Sequence, residues 1–150
     1  QLRIQRHQAR RSNKWITREQ YQHVDELINN SQQDGYLLDD AIMLVTNLFY
    51  DLVLAKTSPK KIDDYLESVS SQEIATIREK ILSNWEKILG AVRVNNQSMV
   101  IVSDEVGLGV VPATKQTRIL RDLYGEVNQL IAKEADNVYF VISGIAQKLK

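Results

Sequence analysis

Apolar residues along this chain fall into two arrangements: short uninterrupted runs, and longer stretches in which they recur every three or four positions. Met99-Val100-Ile101-Val102 is the clearest uninterrupted run and predicts a strand over Met99–Ser103 buried on both faces, as in parallel sheets. Tyr36-Leu37-Leu38, preceded by the turn signal Asp34-Gly35, predicts another buried strand. Val138-Tyr139-Phe140-Val141-Ile142 predicts a strand closing the chain, and Lys14 to Thr17 a short one near its start.

The helical spacing lies between these runs. Tyr21, Val24, Leu27 and Ile28 share one helical face, and residues 41–55 form a strongly apolar core helix. Pro59 suits the first turn of a new helix. Ser70 or Ser71 caps a long amphipathic helix with Glu73 in its first turn. Ile74, Ile77, Ile81, Trp85, Ile88 and Leu89 line that helix, which should end near Gly90. A further long helix runs from about Thr114 to Ala135. Residues 2–11 are polar and Arg-rich, a helix tail entering a loop. Strands alternating with helices predict a single α/β domain over residues 1–150 with a mainly parallel sheet. The chain shows no internal repeat or low-complexity segment.

In such sheets ligands bind beyond the carboxyl ends of the strands, and here two strands end in paired carboxylates, Asp39-Asp40 and Asp104-Glu105. Carboxylates at those positions either hold Mg²⁺ through water, accept hydrogen bonds from a ribose or base, or cap the next helix. For Asp40, immediately before the helical stretch, the cap is the expectation. Gly107 and Gly109 follow the second pair and allow a turn or a close backbone approach. They make a poor dinucleotide loop, lacking a third glycine and followed by Pro112. No Gly-x-x-x-x-Gly-Lys-Ser/Thr phosphate loop occurs among the 150 residues.

Composition narrows the classes. The 19 basic and 19 acidic side chains cancel, so no overall field draws the chain to nucleic acid or an anionic membrane. Absence of cysteine excludes disulfides and thiolate metal sites and suits a reducing cytosol. No apolar run reaches the ~20 residues of a membrane span, and the first residues are charged rather than signal-like. A soluble, cytoplasmic protein without nucleic-acid partners is the expectation.

Arg3, Arg6, Arg10 and Arg11 surround His7. They read either as a solvated helix face or as a phosphate pocket, because guanidinium groups bond phosphate oxygens in charge-assisted pairs. An imidazole with a reference pKa of about 6.5 is mostly neutral at pH 7 and serves as nucleophile or proton carrier. His23, the other histidine, reads as a surface helix residue, and two histidines without cysteine disfavour zinc.

Several segments together resemble one enzyme family, the bifunctional adenosylcobinamide kinase / adenosylcobinamide-phosphate guanylyltransferases of cobalamin biosynthesis. Val102-Ser103-Asp104-Glu105-Val106-Gly107-Leu108-Gly109-Val110-Val111-Pro112 is similar to the family's Val-Ser/Thr-Asn-Glu-Val-Gly-x-Gly-Ile-Val-Pro signature. The resemblance continues in Arg121-Asp122-x-x-Gly125-x-x-Asn128-Gln129 and in Val141-Ile142-Ser143-Gly144-Ile145 with Lys148 and Lys150. Arg3-Ile4-x-x-His7-x-x-x-Arg11, with Trp15 and Thr17, is similar to the family's histidine segment. Tyr36-Leu37-Leu38-Asp39 with Val45-Thr46-Asn47-Leu48 is similar to its second acidic strand and helix. Residues 55–96 carry no such motif.

The resemblance implies a RecA-like P-loop nucleotide-binding fold, assembled as a homotrimer. It implies phosphorylation of adenosylcobinamide by ATP or GTP, then transfer of GMP from GTP to adenosylcobinamide phosphate through a guanylyl-histidine. By position His7 is the nucleophile, Arg10 and Arg11 line the GTP site, and Glu19 and Asp39 contact the nucleotide. Asp39 is also the implied Mg²⁺ partner, and Asp104, Glu105 and Asn128 belong to the rim. Two positions depart from the pattern: Asp104 stands where the family has Asn, and Arg6 where relatives can carry a second histidine. The family's first strand and its Gly-Gly-x-Arg-Ser-Gly-Lys-Ser loop are expected upstream of Gln1. The alternative is an inactive truncated remnant or interaction module of the same fold.

Overall fold

A computed structural model describes residues 15–31 and 33–150. In order it contains helix α1 (Val24–Asn29), strand β1 (Gly35–Asp39), helix α2 (Ala41–Leu54) and a 3-10 turn (Pro59–Lys61) leading into α3 (Ile62–Ser68). Helix α4 (Ser71–Val94), strand β2 (Ser98–Val102), helix α5 (Lys115–Glu134) and strands β3 (Tyr139–Ile142) and β4 (Ile145–Lys148) follow. The architecture is α/β, with a small parallel sheet and flanking helices.

Local chemistry sets the helix starts. The Asp40 carboxylate accepts the Met43 N–H at 2.6 Å, the cap expected of it. Ser70 Oγ accepts the Glu73 N–H and donates to the Glu73 carboxylate, both at 3.2 Å, which closes the start of α4. Thr114 caps α5 through the Thr117 N–H at 3.2 Å. Gly90 does not end α4, which continues to Val94. A glycine inside a helix lowers its propensity by about 1 kcal/mol, and packing of the buried Ile88 and Ala91 on either side outweighs that.

β1 and β2 pair in parallel, with Gly35 opposite Ser98 and Asp39 opposite Val102. Their inner face carries Tyr36, Leu38, Met99 and Ile101 against a core that includes Phe49, Leu66, Ile81, Trp85, Ile88 and Val127. Helix α4 is the spine of that core: it packs against α1, α2 and α5. Among the described residues the outer face is left open, with Leu37 49% and Val100 63% exposed. Both strands therefore alternate in burial, which corrects the expectation of burial on both faces. The described helices pack onto one side only, and an uninterrupted apolar run cannot reveal that.

Two further expectations change. Residues 15–17 form no strand. The last predicted strand, β3, joins no parallel pair among the described residues; it folds back on β4 as an antiparallel hairpin with Ile142 opposite Ile145. Ser143 (φ 52°) and Gly144 (φ 80°) make the turn, the left-handed geometry that a two-residue hairpin requires. Across the core, the Tyr124 and Thr46 hydroxyls share a 2.8 Å hydrogen bond that ties α5 to α2. Among the described residues, no single helix is long and apolar enough to cross a membrane.

Three outcomes follow for stability. Phe49→Ala should cost about 3–5 kcal/mol and Asp40→Ala about 1 kcal/mol in urea unfolding, because the first empties a fully buried site and the second removes one cap. Burial raises the Tyr124 pKa above its ordinary value, with the Thr46 hydrogen bond opposing that in part. The folded chain thus keeps this proton where the unfolded chain has lost it. The resulting stability is complete below about pH 10 and declines as pH rises through the raised folded pKa. Tyr124→Phe should therefore show a shallower loss of stability than wild type as pH rises above about 10, read from urea midpoints.

Candidate functional site

The parallel register brings the carboxyl ends of β1 and β2 side by side, Asp39 next to Val102, with Ser103, Asp104 and Glu105 continuing from β2. A polar rim at the open end of a parallel pair is the usual place for a ligand in this class of sheet. The two aspartates after β1 have separate roles. Asp40 turns its carboxylate to the Met43 amide of α2, whereas the exposed Asp39 carboxylate makes no hydrogen bond or ion pair among the described residues.

The Ser103–Thr114 loop leaves β2 and is fastened to α5. Ser103 Oγ donates to Asn128 Oδ1 at 2.6 Å, and Asn128 Nδ2 donates to the Asp104 carbonyl at 3.0 Å. The Asn128 amide uses both its ends, which an Asp or a Leu there cannot do. Glu105 Oε1 accepts the Gly107 N–H at 2.6 Å, folding the carboxylate over its own turn. A Cβ on residue 107 would sit 2.7 Å from that oxygen, so a side chain there would displace the Glu105 carboxylate from this position. Farther along, Arg121 Nη1 donates to the Val110 carbonyl at 3.3 Å. Arg118 Nη1 donates to the Pro112 and Ala113 carbonyls at 3.1 and 2.7 Å.

The structure therefore brings Asp39, Asp104, Glu105 and Asn128 to the neighbouring ends of β1 and β2. Glu19 lies exposed in the irregular segment before α1. His7, Arg10 and Arg11 lie outside the described residues. His23 precedes α1, with its Nδ1 3.0 Å from Glu26 Oε1, a surface position as its sequence context suggests. Sequence reasoning missed the fastening role of Arg118 and Arg121. The sequence places Arg118, Arg121 and Asn128 on one side of a 3.6-residue helix, but not what that side faces.

The described residues contain no group of three or more His, Cys, Asp or Glu able to hold a metal together. A single free carboxylate such as Asp39 still fits Mg²⁺, which binds through one or two carboxylates and completes its shell with water and nucleotide phosphates. A zinc site of protein ligands does not fit this donor set.

A parallel pair ending in carboxylates and a side-chain-fastened glycine loop define an α/β protein with a polar rim at its strand ends, and comparison with known proteins gives its family. The family model described as cobinamide kinase / cobinamide phosphate guanyltransferase matches residues 1–149. The bifunctional adenosylcobalamin biosynthesis protein CobU of Escherichia coli (strain K12) is 32% identical over 150 residues, covering 99% of this chain and 77% of that protein. The protein of the same name from Salmonella typhimurium is 33% identical with the same coverage. CobP of Pseudomonas aeruginosa is 28% identical, covering 99% of this chain and 73% of its own length. The chain belongs to the cobinamide kinase / cobinamide phosphate guanyltransferase family, whose members are transferases of cobalamin biosynthesis.

The two-ended use of Asn128 is directly testable. Asn128→Asp keeps an acceptor for Ser103 but sets an oxygen against the Asp104 carbonyl. It should lower stability by about 1–2 kcal/mol in urea unfolding.

Proposed function

We propose that this protein phosphorylates the aminopropanol hydroxyl of adenosylcobinamide with ATP or GTP and then transfers GMP from GTP onto the new phosphate. The observation that carries this reading is the placement of Asp39 beside the Ser103–Glu105 segment at the open end of the β1–β2 pair, in a chain of this family. The full protein is read as one RecA-like P-loop domain working as a cytoplasmic homotrimer, with nucleotides and corrinoids as its ligands.

In the transfer step, a neutral His7 nitrogen attacks the α-phosphorus of GTP, and the bond from that phosphorus to the bridging oxygen breaks to release pyrophosphate. A phosphate oxygen of adenosylcobinamide phosphate then attacks the same phosphorus. The P–N bond breaks, histidine is regenerated, and adenosylcobinamide-GDP leaves. Arg10 and Arg11 offset the charge that develops on the phosphoryl oxygens, the role for which forked guanidinium donors suit phosphate. Glu19 contacts the nucleotide, and Asp39 is the residue that would hold Mg²⁺. That ion supplies charge neutralisation on the phosphates when bound. Asp104 and Glu105 form the rim, with Asn128 fixing where they stand.

Asp104 gives this rim an acceptor where the family signature has an amide, so any contact there is limited to donors on the ligand.

Incubating full-length protein with α-labelled GTP should leave acid-labile label on His7, and His7→Asn should remove it. Label that persists in His7→Asn overturns the assignment of the nucleophile.

A further inference from the structure

We propose that Arg118 and Arg121 are positioning residues, which hold the Ser103–Thr114 loop as an ordered rim of the nucleotide site. This rests on the reading that the site lies beyond the carboxyl ends of β1 and β2.

The loop has little else to order it. Apart from the turn at Gly107–Leu108 it makes no backbone ladder, and its Leu108, Val110 and Val111 side chains point into solvent, Val110 being 92% exposed. Apolar burial, the ordinary source of loop order, is therefore absent at the loop's centre among the described residues. What fastens it comes from one helix. Asn128 holds the loop's start at Ser103 and Asp104, Arg121 its middle at Val110, and Arg118 its end at Pro112 and Ala113.

Geometry makes α5 suitable for this task. Positions 118, 121 and 128 fall within about 80° of one another at 100° per residue, so they form one polar stripe. The buried Ile119, Leu120, Leu123 and Val127 form a separate stripe on the same helix. The core thus fixes the rotation of α5, and that rotation fixes the donors. A cationic donor to a carbonyl is stronger than a neutral one, and Arg118 places a single nitrogen against two successive carbonyls.

The consequence for chemistry is indirect. Neither arginine is given contact with substrate; each acts through the loop on Asp104 and Glu105. Glu105 is itself folded onto Gly107, so displacing the loop's centre moves that carboxylate. An error of about 1 Å in a group that positions a reactant costs up to ~100-fold in rate.

The test uses full-length protein carrying Arg118→Ala, Arg121→Ala, Arg118→Lys or Arg121→Lys. Hydrogen exchange over residues 104–113 is measured together with GTP-dependent guanylyl transfer to adenosylcobinamide phosphate. In the alanine variants loop exchange should accelerate about tenfold or more, while the thermal midpoint stays within about 4 °C of wild type. Their kcat should fall about 10- to 100-fold, with KM for GTP changed less than about twofold. The lysine variants, which keep a cationic donor for a single carbonyl, should recover part of both losses. Wild-type kcat in both alanine variants overturns the proposal, as does a fall in kcat with unaltered loop exchange. Failure of the wild-type protein to transfer guanylyl groups refutes the functional reading instead. In that case loop exchange alone decides the clamp: acceleration in the alanine variants supports it, and unaltered exchange overturns it.

Discussion

One-sided burial of the β1–β2 pair is the constraint on which the remaining structure rests. Two parallel strands do not hold together in water by their own hydrogen bonds; they need an apolar face covered. Tyr36, Leu38, Met99 and Ile101 supply that face, and the layer built on Phe49, Ile81, Trp85 and Val127 covers it. Once the strands are fixed in register, Asp39 and the Ser103–Glu105 segment emerge at neighbouring points. The placement of the rim is thus a product of core packing rather than of any attraction among its carboxylates.

Helix α5 links that core to the rim. Its buried stripe sets its rotation and depth, and its Arg118–Asn128 stripe holds the loop that carries Asp104 and Glu105. The Tyr124–Thr46 hydrogen bond and the contact of Gln116 with Tyr50 tie the same helix to α2, which begins directly after Asp39 and Asp40. Both sides of the rim are therefore referred to one pair of packed helices. A family that performs two transfers at phosphate has use for such a frame, because positioning and preset charge dominate that chemistry.

Neighbouring residues of one type take different roles for local reasons. Asp40 occupies the position before the first turn of α2, where backbone amides lack helical partners, and caps the Met43 N–H. Asp39, one residue earlier, still belongs to the strand and keeps its carboxylate free among the described residues. Glu105 and Gly107 form a matched pair, since the glycine's missing side chain is what admits the carboxylate.

Much of this was legible in the sequence. Helical spacing, the Ser70–Glu73 and Asp40 caps and the runs that became β1 and β2 depend on neighbours within a few positions, and these appear where the pattern places them. The sequence could not decide which faces of β1 and β2 are covered, because an uninterrupted apolar run is the same string whether one side or both are packed. It also left β4 unannounced: Ile145-Ala146-Gln147-Lys148 is too short and polar to read as a strand until Ser143-Gly144 turns it back onto β3. The fastening of the 103–114 loop belongs to the tertiary structure for a related reason. Arg118 and Arg121 look like ordinary solvated charges until the core fixes the rotation of α5 and sets their donors against the loop carbonyls.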